Sequence, residues 1–161
     1  MIAPWHVAGL CSAAMALPVA AQDSYPPLEI LLSSSETVIG QSYAYPDGDA
    51  KITAAIVTME PGQSTGWHLH QVPLFGYVLE GELTVDYGKD GTRTYAAGDS
   101  LIEAFETLHN GTNSGSVPMR LLAVFAGAEG VANTLTEAQR DAAQRVDGAL
   151  PGGRNISVRR Q

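Results

Sequence analysis

Between Thr37 and Phe125 the chain is cut into short apolar segments by turn residues, and this pattern limits the fold more than any other feature. Val38 to Tyr45 ends at Pro46-Asp47-Gly48, and Lys51 to Met59, rich in Ile, Val and Thr, stops at Pro61-Gly62. Thr65 to His70 and Phe75 to Leu79 follow, then a turn at Gly81. Leu83, Val85 and Tyr87 alternate with Thr84 and Asp86, the period of a half-buried strand, and Lys89-Asp90-Gly91 closes that hairpin. Thr92 to Tyr95, Ser100 to Phe105 and Met119 to Phe125 complete a set of short strands joined by tight turns. Strands at this spacing predict an all-β sandwich or barrel. With 161 residues, 17 Gly, 9 Pro and only 16% charged side chains, one turn-rich domain with a proper core is expected.

The two ends differ from this middle. Ile2 to Leu17 is apolar and uncharged, Pro18 breaks it, and Val19-Ala20-Ala21 offers a cleavage site before Gln22, the plan of a signal peptide over residues 1–21. A short membrane anchor or a buried helix is the other reading of that stretch, although it is shorter than the ~20 residues a membrane span needs. A signal peptide implies a periplasmic or secreted protein with no further membrane association. Cys11, the single cysteine, would leave with the leader, so thiolate chemistry and disulfides are excluded from the mature chain. Residues 22–36 read as an arm or linker, with Leu28 to Leu32 as an apolar piece that either completes its own sheet or pairs with a second copy. In residues 131–161, Thr134-Leu135-Thr136-Glu137 has the form of a capping box, and Leu135, Ala138, Ala142 and Val146 recur at helical spacing before Gly148 and Pro151. One C-terminal helix and a tail are expected there.

The net charge of −8 excludes nucleic acid and anionic lipid surfaces as partners, since both need clustered Lys and Arg. Chemistry is concentrated in the histidines. Outside the leader there are three: His68, His70 and His109. His68 and His70, two apart on a strand, point to the same side about 7 Å apart along the backbone. Imidazole is the usual neutral ligand of Zn, Fe, Cu and Ni, but two nitrogens hold an ion weakly and a third is required. His109 lies a hairpin and a strand further on, where antiparallel folding can return it to the same face. An isolated His-x-His pair on a strand is also commonly just an exposed pair.

At these residues the sequence resembles the cupin superfamily. The first cupin motif, G-x5-H-x-H-x3-E-x6-G, is met by Gly62, His68, His70 and Gly81, with Leu74 in place of the acid. The second, G-x5-P-x-G-x2-H-x3-N, is met by Gly98, His109 and Asn113, with Ala104 in place of the proline and Glu106 in place of the glycine. The resemblance implies a small double-stranded β-helix (jelly-roll) barrel over residues 37–130. It also implies one divalent transition-metal ion (Fe, Mn, Zn, Ni or Cu) on His68, His70 and His109. Cupins with three-histidine iron sites include oxygenases of thiols and of diketones, so the loss of the acid at Leu74 does not abolish chemistry.

Two consequences follow. Three neutral imidazoles leave a divalent ion its full formal charge, which favours a small anionic or enolisable chelating substrate. Glu103 has the parity of His109 and lies between Ile102 and Phe105 in an apolar strand, where a carboxylate needs a reason to be. It is the candidate catalytic residue, as a base, as a group that orients an imidazole, or as a fourth ligand. Trp67, Phe75, Tyr77 and Phe105 are candidate walls of a substrate pocket, or simply core aromatics. The expected function is a metal-dependent oxygenase, isomerase or decarboxylase, with a non-catalytic metal- or ligand-binding module as the alternative. Cupin barrels often pair through an edge strand, so the resemblance also allows a homodimer.

Overall fold

The computed structural model describes residues 27–149. The predicted leader and the C-terminal tail beyond residue 149 lie outside the described residues. Nine strands and one helix follow in order: β1 (Ala50–Met59), β2 (His68–His70), β3 (Leu74–Glu80), β4 (Glu82–Asp86), β5 (Thr92–Ala96), β6 (Ser100–Ile102), β7 (Asn110–Asn113), β8 (Met119–Ala128), β9 (Thr134–Thr136) and α1 (Glu137–Ala149). No described helix is long and apolar enough to cross a membrane.

The strands form a four-stranded sheet in the order β1-β8-β3-β6, a three-stranded sheet β5-β4-β7 and the pair β2-β9. The last two are stitched together along β7. Thr65 N–H donates to Gly111 O at 2.9 Å, and His68 and His109 exchange backbone hydrogen bonds of 3.0 and 2.9 Å. Residues 64–70 therefore extend the smaller sheet, and the class is all-β as expected, with the strands divided among facing sheets and no single closed ring among them.

Alternation sets what goes inside. On β4, Leu83 and Val85 are buried while Thr84 faces out, and the inward set from both sheets joins Met59, Val78, Tyr87, Leu101 and Met119 in one core. The motif glycines are where the chain turns back on itself: Gly62, Gly81 and Gly98 all have φ between 75° and 97°, a region that only glycine enters without strain. At the position where the second motif has a glycine, exposed Glu106 takes φ 50°, the sole described non-glycine residue with positive φ.

Several boundaries differ from expectation. Val38 to Tyr45 forms no strand, because Thr37 and Gln41 close a turn through Gly40 (φ 77°) and the Gln41 amide is committed to Phe105 O and Thr107 Oγ1. Thr65 to His70 is a strand only from His68, since Gly66 (φ 74°) bends the chain first. The capping box is shifted by two residues. Thr134–Thr136 is a strand, and it is Thr136 that caps α1, with Gln139 N–H donating to Thr136 Oγ1 and Thr136 N–H to Gln139 Oε1. The arm at Leu28 to Leu32 enters no strand. Leu31 O accepts from Ser100 Oγ, and Leu28, Ile30 and Leu31 remain exposed.

Candidate metal centre

The three histidines converge. His68 and His109 are direct neighbours across the strand pairing, and His70 follows two residues on with its ring to the same side. Ring centroids lie 4.4 Å apart for His68 and His109, and 5.0 Å apart for each of the other two pairs. One nitrogen from each ring falls within 4.8 Å of the other two, which marks a group able to hold a metal ion. His70 and His109 are buried and His68 is half-buried.

Hydrogen bonds fix which nitrogen faces inward. His68 Nδ1 lies 2.8 Å from Gly66 O, and His109 Nδ1 lies 2.9 Å from Thr107 O. A carbonyl only accepts, so both rings carry their proton on Nδ1 and turn a bare Nε2 to the centre. The same local device serves both: each carbonyl belongs to the residue two positions before its histidine. At Gly66 the positive φ swings that carbonyl into place. His70 Nδ1 meets Thr134 Oγ1 at 3.0 Å across the β2–β9 pair. Burial lowers the affinity of all three imidazoles for protons, for His70 down to about 3, so they stay neutral and available as ligands near neutral pH. This donor set suits a transition-metal ion.

Glu103 is the carboxylate of this site. It is 6% exposed, it lines the same cavity, and its Oε2 is 4.0 Å from His109 Nε2. Burial raises its pKa, while the Ala104 N–H, which donates to Oε1, and the Tyr87 hydroxyl act the other way. Leu74, at the motif's acidic position, is buried in the wall.

The cavity beside the histidines has a volume of about 170 Å³. Its walls are aliphatic with one aromatic, Phe125, whose ring lies 5.4 Å from that of His70. None of the four aromatic residues expected there lines it. Phe75 and Tyr77 alternate with buried Leu74, Gly76 and Val78, so they face the outer side of the large sheet. Trp67 is 38% exposed, and Phe105 is half-buried outside the cavity lining. The sequence reading missed three participants. Tyr87 could have been found from its alternation with Leu83 and Val85 on the inward face. Phe125 shares the parity of the buried Ala123 on β8. Thr134 carried no signal, being read as part of a helix cap.

The profile of the cupin domain matches residues 55–125. No curated protein matches the chain. Among solved structures, an oxalate decarboxylase–formate complex from Lactobacillus farciminis is 25% identical with a TM-score of 0.49, over 62% of this chain and 31% of its own. An uncharacterised protein with a double-stranded β-helix domain from Klebsiella pneumoniae is 24% identical with a TM-score of 0.47, over 65% of this chain and 82% of its own. The DMSP lyase DddQ of Ruegeria pomeroyi is 20% identical with a TM-score of 0.48, over 55% and 44%. The chain thus spans about a third of the oxalate decarboxylase. With both motifs in register, facing β-sheets and three converging imidazoles, residues 55–125 of this chain form a cupin domain.

Proposed function

We propose that this protein is a metal-dependent enzyme that holds one divalent transition-metal ion on His68, His70 and His109. In this reading it acts on a small enolisable or anionic organic compound by oxygenation, isomerisation or decarboxylation. The observation that carries the reading is the pair of backbone carbonyls, Gly66 O and Thr107 O, that hold the imidazoles of half-buried His68 and buried His109 with their free nitrogens turned to one point. Such tautomer control is what a ligand set requires and an incidental histidine cluster has no use for.

The chain's own residues delimit the substrate. The cavity is small and mostly apolar, and neither Arg nor Lys lines it. No cationic side chain is there to receive a second carboxylate. This favours a compound that chelates through one enolate or carboxylate and buries an apolar remainder against Leu74, Leu121 and Phe125. A bound ion would supply Lewis-acid polarisation or, as Fe(II), activation of dioxygen. Export, with a mature chain beginning at Gln22, belongs to the same proposal and rests on the residues before that position.

The test combines metal analysis of the purified protein with a screen of oxygen uptake and product formation on 1,3-diketones, 2-oxo acids and short monocarboxylates. About one equivalent of metal, lost together with turnover in His68→Ala, is expected. Full metal loading with no turnover of any compound would make the domain a binding module instead. N-terminal sequencing of the exported protein, expected to start at Gln22, checks the leader.

A further inference from the structure

We infer that Glu103 is a fourth protein ligand of the metal centre, reaching it from the position directly across the strand pair from Leu74. The inference rests on the three-histidine reading above and adds a residue to it. Strands β3 and β6 pair with Phe75 opposite Ile102 and Gly76 opposite Leu101, so the next pair in register is Leu74 and Glu103. The Glu103 N–H donates to Leu74 O at 2.9 Å, which continues the ladder by that step. Side chains directly opposite each other in an antiparallel pair point to the same face, with Cβ atoms about 5 Å apart. A carboxylate at either position therefore enters the same cavity, which both residues line.

The atoms at the centre agree with this. Glu103 Oε1 accepts the Ala104 N–H at 2.6 Å, which anchors the carboxylate and leaves Oε2 as its inward atom. Oε2 stands 4.0 Å from His109 Nε2. The Nδ1 of that ring donates to Thr107 O, so its Nε2 is bare. The two atoms thus face each other across a gap too long for a hydrogen bond. Two ligands bound at about 2.0–2.2 Å to one ion are separated by up to roughly 4.2 Å, and the gap lies inside that limit. Neither Lys nor Arg lines the cavity to neutralise the carboxylate. A cation between Oε2 and the three imidazoles supplies the missing partner.

The experiment titrates metal-free protein with Co(II), whose visible absorption bands respond to the number and kind of its ligands. Wild type is expected to bind one equivalent, and Glu103→Gln, the same size without a charge, to bind more than about a hundredfold more weakly with altered bands. Loss of a hydrogen-bond partner of a ligand is worth only about ten- to a hundredfold. Unchanged bands in Glu103→Gln, whatever its affinity, would overturn the inference. The double variant Leu74→Glu/Glu103→Leu, which moves the carboxylate across the strand pair, is expected to regain affinity. A folded double variant that binds no better than Glu103→Gln would count against the across-strand placement; if it does not fold, the single variant decides. His68→Ala is the control for the centre itself. If it binds Co(II) as wild type does, the three-histidine reading fails, a result distinct from any failure at Glu103.

Discussion

Asn113 is fully buried, and every polar atom of its side chain is used. Its amide nitrogen donates to Met59 O at 2.9 Å and Val117 O at 2.8 Å, and its Oδ1 accepts the Gly115 N–H at 2.9 Å. Its own backbone N–H donates to Gln63 O, while its carbonyl accepts from Gly62 N–H. Two motif positions 51 residues apart are therefore adjacent, and the asparagine ties the end of β1 to the turn that leads into β8. Asn113→Ala leaves the buried Met59 carbonyl without a donor, a loss of about 1–3 kcal/mol, and opens a small void beside it. A total loss of about 2–4 kcal/mol is expected in chemical denaturation, with the metal centre's Co(II) bands unchanged, because none of the Asn113 side-chain hydrogen bonds goes to an imidazole. At this scale the three converging histidines were legible because spacing and motif register pointed to them independently. Glu103 was legible only as an anomaly, a carboxylate in an apolar strand. Its proximity to His109 depends on a cross-strand pairing that one sequence does not state.

The hairpin of β3 and β4 shows what governs whole elements. Gly81 joins the two strands with φ 75°, and a Cβ there would lie 2.8 Å from Pro118 O and 2.9 Å from the Met119 Cα. Both objections are backbone, which cannot swing aside as a side-chain tip can. Gly81→Ala is thus expected to cost at least about 2 kcal/mol, through left-handed strain and the displacement of β8 from β3. A thermal melt that matched wild type would show that the β8 edge gives way freely. Elements built on apolar or β-branched runs, such as β1, β3, β4 and β8, were readable from sequence. β7 was not, since Asn110-Gly111-Thr112-Asn113 has the composition of a turn and becomes a strand only between β4 and residues 64–68. The aromatic misplacement has a different cause. Phe75 and Tyr77 have the parity opposite to His68, His70 and Leu74, which all face in, so they fall on the outer face of the large sheet.

For the molecule as a whole, the histidine cluster sets how stability depends on acidity and on metal. Burial depresses the proton affinity of His68, His70 and His109 in the folded chain, whereas in the unfolded chain each binds a proton near pH 6.5. Below that pH the unfolded state holds more protons than the folded one, so the metal-free protein keeps this stability above pH 6.5 and loses it as pH falls toward the folded values, about 3 for His70. Glu103 works in the opposite sense: its raised folded pKa makes the unfolded chain the one that releases a proton above pH 4.5. Three imidazoles outweigh one carboxyl between pH 7 and 5, so metal-free protein should melt progressively lower over that range. A divalent ion binds only the folded, unprotonated set, and at a hundred times its dissociation constant adds about 2.7 kcal/mol. For a domain of this size that raises Tm by roughly 5–10 °C at pH 7. The increment should shrink as pH falls, because protons and metal compete for the same nitrogens. Melting curves with and without Co(II) from pH 5 to 8 measure both effects. A metal-induced rise in Tm that stayed constant down to pH 5 would mean the ion binds somewhere other than these imidazoles.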